Sequence, residues 1–388
     1  MLGFTDKTIV ADVLSDCSPH RPLGLRMAAE KQPASLPGLR ARWKFMEPSL
    51  RKSPFLKMIP ILGSMGCPYS CEFCIDSLVP YQPMDLDLLS DDLRFARENF
   101  KRPVVGWHDP NFGVRFDETM EAIERTIPPD SIDFIAESSL SLLSEPRLKR
   151  LKANGFKGLL PGVESWYDMG NKAKTGAAVG MDKVVQVAEQ VNLIMKYVPY
   201  VQTNFVLGLD TNKGPEPFEL TKRFVELAPG AFPGYSLLTA FGQATPLNLG
   251  YQRAGRVLPF PFHFLDNHHA MNVRPLNYAW SDFYSLLVGL TEHSFSARSN
   301  MRRFMANAGW VPKALNLVRA ISSEGRGRPK YYREIARMLT TDKQFRSYFE
   351  QETTELPQFF TDRVKADLGW LWEWLPPGAL FHNPNMCQ

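Results

Sequence analysis

Six short apolar runs recur between residues 55 and 241, and amphipathic stretches separate most of them. The runs are rich in β-branched and aromatic residues, as buried parallel strands are. They are FLKMIPIL (55–62), PVVGWH (103–108), IDFIAE (132–137), FKGLLPGV (156–163), VQTNFVLG (201–208) and YSLLTAF (235–241). The pattern therefore predicts six buried strands.

The intervening stretches place apolar residues at helical spacing. We predict helices over residues 85–100, 144–155 and 182–195, and a further helix that opens at Pro217. Strands that alternate with helices indicate an α/β fold with a parallel sheet. Six such units suit a partial (β/α)6 barrel of the TIM type, although the pattern alone is also compatible with an open, doubly wound sheet.

The alternation suggests three regions of the chain. Residues 1–54 contain several prolines and many basic residues and are interpreted as a short extension, and residues 55–247 form the barrel. Residues 248–388 are predicted to be mainly helical and to cover the open side of the barrel. The aromatic segment LGWLWEWLPPGALF near the end could dock onto the body, line a pocket or touch a membrane surface.

Composition indicates an ordinary globular protein. Hydrophobic residues make up 44% of the chain and charged residues 22%, a balance that permits a sizeable core. The net charge is only +4, so the composition demands neither a nucleic acid nor an anionic membrane as partner, and we expect no nucleic acid. No apolar run has the length of a membrane helix, and the first residues do not resemble a signal peptide. We therefore expect a cytoplasmic protein with no membrane span.

Three of the five cysteines lie within eight residues of one another. Cys67, Cys71 and Cys74 follow the first apolar run with the spacing Cys-x3-Cys-x2-Cys, whereas Cys17 and Cys387 lie near the ends of the sequence. An odd and low number of cysteines is a poor disulfide framework. The cluster of three therefore needs another explanation.

Three thiolates on one glycine-containing loop can ligate three irons of an iron–sulfur cube. The fourth iron then keeps an open position for a small molecule, as a catalytic zinc does. A zinc site would need a fourth ligand, but no His or Cys occurs between Cys74 and His108. A thioredoxin-like pair would not account for Cys67. We therefore predict a [4Fe–4S] cluster.

The cysteine spacing resembles the hallmark of the radical S-adenosylmethionine superfamily, and the resemblance extends over roughly residues 55–247. It implies a partial (β/α)6 barrel with the cluster on the loop after the first strand. It also implies that S-adenosylmethionine chelates the fourth iron. An electron from a flavodoxin- or ferredoxin-type donor would then yield methionine and a 5′-deoxyadenosyl radical, which abstracts hydrogen from a small-molecule substrate.

Four further segments resemble the branch of cobalamin-dependent methylases and the anaerobic porphyrin ring cyclase: HDPNF (108–112), GVES (162–165), FVLG (205–208) and ATPL (244–247). The resemblance implies that Phe73 packs near the adenine and that Glu164 and Ser165 bind the ribose or amino group. It offers additional candidates for cofactor or substrate contacts, whose alternative roles are caps or structural hydrogen bonds. These are Asp109, Asn111, Glu137, Ser139 and Asn204.

The sequence departs from these relatives at two points. Only 54 residues precede the first predicted strand, and there is no Asp-x-His-x2-Gly signature, so we expect that any cobalamin would come from a partner. Pro110 stands where the relatives commonly have an acidic residue. The leading hypothesis is a cobalamin-independent enzyme that modifies a C–H bond of a biosynthetic intermediate. RNA or protein modification and a non-enzymatic iron–sulfur carrier are the alternatives.

The composition of residues 248–388 suggests a lining for a flat apolar substrate with acidic groups. Aromatic side chains would contact the substrate faces, and arginines would bind the acidic groups. The candidates are Phe260, Phe262, Phe264, Tyr278, Tyr284, Arg302 and Arg303, together with His268 and His269 beside Asp266.

Overall fold

The structure is a computed structural model that describes residues 37–52, 58–69, 71–167, 177–240, 245–375 and 378–381. Cys17 and Cys387 lie outside these residues. The described strands are β1 (Met58–Ile61), β2 (Ser64–Met65), β3 (Gln82–Pro83), β4 (Val104–Trp107), β5 (Asp133–Ser139), β6 (Phe156–Glu164), β7 (Tyr200–Leu207) and β8 (Phe232–Leu237).

Helices alternate with the strands, and after an irregular stretch between α7 and α8 they predominate in the rest of the described chain. They are α1 (Leu39–Lys52), α2 (Leu86–Asn99), α3 (Phe116–Thr126), α4 (Glu145–Ala153), α5 (Gly180–Met195), α6 (Glu216–Leu227), α7 (Pro246–Arg253), α8 (Trp280–Ser294), α9 (Ala297–Ala306), α10 (Trp310–Ile321), α11 (Arg328–Thr341), α12 (Lys343–Phe349) and α13 (Gln358–Leu368). A π-helical turn, Ser323–Gly327, joins α10 to α11.

Six strands form one parallel sheet in the order β1-β4-β5-β6-β7-β8. Each strand of this sheet pairs with the next one along the chain, so right-handed connections place all the intervening helices on the same face. A doubly wound sheet would instead reverse its order near the middle. The predicted partial (β/α)6 barrel is therefore confirmed, and the doubly wound alternative is wrong.

Side chains alternate between the two faces of the sheet, as strand β7 shows. Phe205 points outward, where its ring lies 5.4 Å from the rings of Trp166 and of Phe224 on α6. Gln202 and Asn204 occupy the alternate, half-buried positions. They therefore face the space that the curved sheet encloses, which we call the lumen.

The sixth predicted strand is offset from the observed one. Strand β8 begins at Phe232, three residues before the predicted start, and ends at Leu237. The pattern did not predict the first three residues of β8, because Pro233 and Gly234 are residue types that usually weaken strands. The structure places them on the edge strand of the sheet, where a missing backbone donor is tolerated.

The aromatic residues proposed as a substrate lining belong mostly to the packed core of the C-terminal region. Phe260, Phe264 and Tyr284 are fully buried there. Arg303 is also buried, and its guanidinium donates to the backbone oxygens of Ala231 (3.1 Å) and Ser294 (3.1 Å). The substrate-lining prediction is therefore wrong for these four residues, because their side chains hold the helices together.

No helix in the described part of the chain is both long enough and apolar enough to cross a bilayer.

Candidate functional site

The three clustered cysteines lie on the loop that follows β1. The short antiparallel pair of β2 and β3 closes the base of this loop, with Ser64 opposite Pro83. Cys71 is buried and Cys67 and Cys74 are half-buried, and none of the three forms a disulfide with another described cysteine. The backbone N–H of Cys74 donates to the oxygen of Cys71 over 3.0 Å, which turns the chain sharply between the two thiols.

The donor set fits an iron–sulfur cluster better than a single ion. Among the described residues, no three His, Cys, Asp or Glu side chains are gathered as ligands of one metal. In a cluster each thiolate binds a different iron, so the sulfur atoms need not converge on one point. Three cysteines on one loop, without a fourth ligand among the described residues, are therefore compatible with a cluster that has one open iron.

Gly66 permits the close path of this loop. Its φ is +66°, a conformation that side chains rarely adopt, and a Cβ there would lie 2.4 Å from the oxygen of Val79. The returning segment of the loop, at Val79 and Pro80, consequently passes directly beside Gly66, the residue before the first cysteine.

Asp109 anchors the start of the loop. Its carboxylate accepts from the backbone N–H of Gly63 (2.5 Å) and from the Ser64 hydroxyl (2.9 Å). Burial raises the pKa of Asp109 above its ordinary value, against the opposing effect of these donors. The structure thus places this candidate between β4 and the loop, as a support for the cysteines.

Asn111 and Ser139 form a buried pair at the ends of β4 and β5. The Asn111 amide donates to the Ser139 hydroxyl (2.8 Å), and its oxygen accepts from the Ser139 backbone N–H (3.0 Å). These two hydrogen bonds join neighbouring strand ends at the mouth of the lumen. The structural role that the sequence left open for both residues is therefore present.

A row of residues crosses four strands at this level of the sheet. Ser139 pairs in register with Gly162, Gly162 with Asn204, and Asn204 with Gly234. The Glu164 carboxylate bends back over Gly162, where a Cβ would lie 2.2 Å from its Oε1. Three of the predicted contact residues are thereby brought together on the lumen face.

Glu164 has an unusual backbone. Its φ is +64°, and the register between β6 and β7 shifts between Gly162 and Glu164. This bulge ends the strand and aims the side chain back along the sheet. Ser165 follows as a buried residue whose hydroxyl accepts from the backbone N–H of Tyr167 (3.2 Å). The Glu164 carboxylate therefore lies over the lumen face, whereas the Ser165 hydroxyl is hydrogen-bonded within the turn that follows β6.

Glu137 and Phe73 occupy the surroundings of this row. Glu137 lies on β5 two residues before Ser139 and is exposed. Phe73 is half-buried between the second and third cysteines. The loop is tied to α7 on its other side, since the backbone N–H of Leu247 donates to the oxygen of Glu72 over 3.1 Å.

Sequence reasoning missed a polar relay beneath Asn204. Arg319 of α10 donates to the Gln202 side-chain oxygen (2.5 Å), and the Gln202 amide donates to the Asn204 oxygen (2.7 Å). Arg319 is held in turn by Glu324 (2.5 Å), and it also donates to the Tyr200 hydroxyl.

This relay fixes the orientation of two amides. An arginine can only donate, so Gln202 must present its oxygen to Arg319 and its NH2 group to Asn204. The oxygen of Asn204 is then engaged, and its NH2 group remains to donate toward the lumen. The sequence contained one sign of this relay, because Gln202 lies two residues before Asn204 and therefore on the same face of β7. Its partner Arg319 is 117 positions away, and no pattern in the sequence links the two residues.

Comparisons with known proteins give two curated relatives, both from Chlorobaculum tepidum. Bacteriochlorophyllide d C-12(1)-methyltransferase is 26% identical over 231 residues, which are 56% of this chain and 47% of that enzyme. Bacteriochlorophyllide d C-8(2)-methyltransferase is 24% identical over 216 residues, which are 52% of this chain and 46% of that enzyme. The chain thus spans about half the length of these relatives. No protein-family profile matches it.

Two solved structures align with most of this chain. TsrM from Kitasatospora setae, a radical S-adenosylmethionine methyltransferase with cobalamin and a [4Fe–4S] cluster bound, aligns with a TM-score of 0.44 and 14% identity over 81% of this chain and 64% of its own. OxsB, a cobalamin-dependent S-adenosylmethionine radical enzyme, aligns with a TM-score of 0.43 and 13% identity over 95% of this chain and 63% of its own. In its cysteine spacing and its six-stranded parallel sheet, this chain resembles radical S-adenosylmethionine enzymes.

Proposed function

We propose that this chain is a radical S-adenosylmethionine enzyme that modifies a C–H bond of a small-molecule biosynthetic intermediate. The observation that supports the proposal most is the position of three cysteines together on the loop after β1. This loop stands at the carboxyl end of the sheet, which is where barrel enzymes assemble their active sites. Cys67, Cys71 and Cys74 would hold a [4Fe–4S] cluster there.

When bound, the cluster would supply one electron that cleaves S-adenosylmethionine into methionine and a 5′-deoxyadenosyl radical. The chain's own contribution is to bind and orient. The Glu164 carboxylate, which lies over Gly162, would accept from ribose hydroxyls or the amino group of S-adenosylmethionine. The Asn204 NH2 group would donate to an acceptor on the cofactor or substrate, because the relay below engages its oxygen. Phe73 would pack against the adenine.

The enclosed lumen would keep the radical away from water. Radical chemistry requires a substrate carbon held close to the cofactor and a site that excludes competing reactions. Two of the row positions, Gly162 and Gly234, carry no side chain, and polar groups of the chain lie in the room beside them. These groups are the Glu164 carboxylate at Gly162 and the amides of Asn204 and Gln202 at Gly234. The two glycines would therefore let the groups proposed to bind the ligand lie close to the sheet.

Methyl transfer with cobalamin supplied by a partner is the second candidate. It is favoured by the names of the two curated relatives, both methyltransferases that act on bacteriochlorophyllide d. Bacteriochlorophyllide d is consequently the first substrate to test. Methylation that depends on added cobalamin would support this candidate over the first.

The decisive experiment compares cysteine variants after anaerobic reconstitution with iron and sulfide. Cys71→Ala should lose the cluster and form no 5′-deoxyadenosine when a chemical reductant and S-adenosylmethionine are added. Cys17→Ala is the matched control, since this cysteine lies outside the cluster motif, and it should retain both properties. The electron paramagnetic resonance spectrum of the reduced protein should change when S-adenosylmethionine binds the open iron.

Two results would contradict the proposal. One is a Cys71→Ala protein that keeps its iron and its 5′-deoxyadenosine formation. The other is a reduced cluster whose spectrum ignores S-adenosylmethionine, which would favour the electron carrier.

A further inference from the structure

Helix α10 is turned with its apolar face outward. The residues it buries against the body are Pro312, Asn316 and Ala320, joined on the same side by the inward-reaching Arg319. The opposite side of the helix carries large apolar side chains that are exposed. These are Trp310 (73%), Val311 (76%), Leu315 (39%), Leu317 (48%), Val318 (58%) and Ile321 (49%).

Packing against the body does not explain this orientation. Asn316 is buried, yet neither atom of its amide has a hydrogen-bond partner among the described residues. A buried amide without a partner typically costs about 1–3 kcal/mol. The helix thus has an unsatisfied polar group inside and an apolar stripe outside, the reverse of an ordinary surface helix.

Helix α9 extends the same surface. Met301 and Met305 are four residues apart, so they lie on one side of the helix, and they are 62% and 71% exposed. The two helices form a hairpin whose turn contains Gly309, at a φ of +84°. The Phe304 and Trp310 rings meet edge to face across this turn, 6.4 Å apart. We call the exposed apolar residues of α9 and α10 together the hairpin surface.

The surroundings of the hairpin surface are strongly basic. Residues 297–330 contain eight Lys and Arg residues and one acidic residue, Glu324, which lies 2.5 Å from Arg319 and 3.7 Å from Arg328. Two of the arginines, Arg303 and Arg319, are turned inward. The others are Arg298, Arg302, Lys313, Arg326, Arg328 and Lys330, of which four are exposed and two half-buried.

Charge decides between a lipid surface and a second copy of the chain. A two-fold contact between copies would bring the same basic rim against itself, because such an interface is isologous. At an anionic bilayer, the basic side chains around the hairpin surface would lie in the headgroup layer, and the apolar residues of the hairpin surface would lie at the acyl boundary. Trp310, at the tip of the hairpin, is the residue type enriched at this interface.

We infer that the hairpin surface is a docking site for anionic lipid bilayers, on which the enzyme lies without spanning the membrane. The apolar residues of the hairpin surface would enter the outer part of the acyl layer. The exposed arginines around it, together with Lys313, would bind lipid phosphates. The inference does not depend on the proposed chemistry, since it requires neither a cluster nor S-adenosylmethionine.

The test is sedimentation of the full chain with vesicles. Vesicles of phosphatidylcholine and phosphatidylglycerol in equal parts should carry the protein down, and vesicles of phosphatidylcholine alone should not. The variant Trp310→Gln/Val311→Ser/Val318→Ser should bind the anionic vesicles roughly tenfold more weakly or worse, because binding scales with the buried apolar area. Arg298→Gln/Lys313→Gln should lose binding by a similar factor and should flatten its salt dependence.

The matched controls are Leu276→Ser, which removes an isolated apolar side chain that is 66% exposed, and Arg94→Gln, which removes an exposed charge on α2. Both should bind the vesicles as the unaltered chain does. The thermal unfolding of all variants should match, since the altered residues are at the surface.

Three outcomes would overturn the inference. Binding that the hairpin variants retain would place the lipid site elsewhere. Equal binding to both kinds of vesicle would remove the role of charge. A dimer in sedimentation velocity that Trp310→Gln disrupts, without vesicle binding, would assign the surface to a second copy.

Discussion

Helices α6 and α10 have the same length of twelve residues and opposite orientations. Helix α6 buries Phe218, Leu220 and Phe224, as an amphipathic helix on a barrel should. The Phe224 ring packs against Phe205 of the sheet, and the Phe218 ring packs against Phe283 of α8. Helix α10 exposes its apolar residues and buries a polar face. The comparison shows that amphipathicity predicts a helix but does not predict which side faces the protein. In α10 that side contains Arg319, whose partners lie inside the barrel.

The strongest test of this comparison removes one large side chain from α6. Phe224→Ala should lower the free energy of unfolding by about 3–5 kcal/mol, because the ring is buried among other aromatic rings. Urea denaturation of the apo-protein measures the change. A loss below about 1 kcal/mol would mean that α6 is not packed as the structure shows.

The next test concerns the polar face of α10 and its link to Asn204. In Gln202→Glu the new carboxylate still accepts from Arg319, but its second oxygen accepts as well. Asn204 must then donate to it and present its own oxygen to the lumen. We expect the KM for S-adenosylmethionine or for the substrate to rise by about tenfold, equivalent to one lost hydrogen bond.

Gln202→Leu separates this reversal from simple loss of the relay, because it leaves Asn204 free to turn. It should affect KM less than Gln202→Glu does. Unchanged KM values in both variants, with unchanged thermal unfolding, would show that Asn204 contacts no ligand.

A smaller effect is expected at a polar turn that supports the C-terminal region. The carboxylate of Asp266 accepts from the backbone N–H groups of His268 and His269 (both 2.9 Å) and contacts the His269 ring (2.5 Å). Burial alone would raise the pKa of Asp266, but these donors outweigh it and hold the pKa well below its ordinary value. Its contribution to stability is therefore present above the unfolded-state pKa and lost as the pH falls.

Asp266→Asn should cost about 1 kcal/mol at neutral pH, a figure discounted because the carboxylate is 40% exposed. Thermal unfolding measured from neutral pH down to about pH 3 should show the difference between variant and unaltered chain shrinking below about pH 4. A difference that is independent of pH would assign the effect to the shape of the turn.

The smallest effect completes the comparison of the two helices. Val318→Ala on the exposed side of α10 should change the free energy of unfolding by no more than about 0.5 kcal/mol. The same urea measurement as for Phe224→Ala applies. A cost of several kcal/mol would show that part of the chain covers the hairpin surface in solution.

The sequence pattern predicted the sheet well and the helices unevenly. Five apolar runs contain or overlap the strands closely, since buried strands need continuous apolar residues whatever their neighbours are. The beginning of β8 was hidden by Pro233 and Gly234. Residues 248–388 were correctly predicted to be mainly helical, but α9 and α10 were not predicted as individual helices. The net charge of +4 concealed the basic segment around them because acidic residues elsewhere cancel it.

The candidate site was predicted in part for a similar physical reason. Motif residues at strand ends, such as Asn111, Ser139 and Asn204, meet because neighbouring parallel strands end at one edge. The bulge that folds Glu164 back over Gly162 depends on register, which a pattern does not reveal. The roles of the cysteines and of these contact residues stay predictions until a ligand is bound.

Arg319 links the exposed helix α10 directly to side chains of the sheet near the amino ends of β7 and β8. Its neighbour Val318 faces the exterior, while its own guanidinium reaches Gln202 and lies 3.8 Å from the centre of the Phe232 ring. One turn of α10 therefore carries both a solvent-exposed side chain and a side chain that contacts the sheet. Since each residue advances a helix by about 1.5 Å, sliding α10 by a single residue would displace the backbone of Arg319 by more than half the 2.5 Å length of its bond to Gln202. A displacement at the exposed side of α10 would therefore reach the lumen side chains through Arg319 directly.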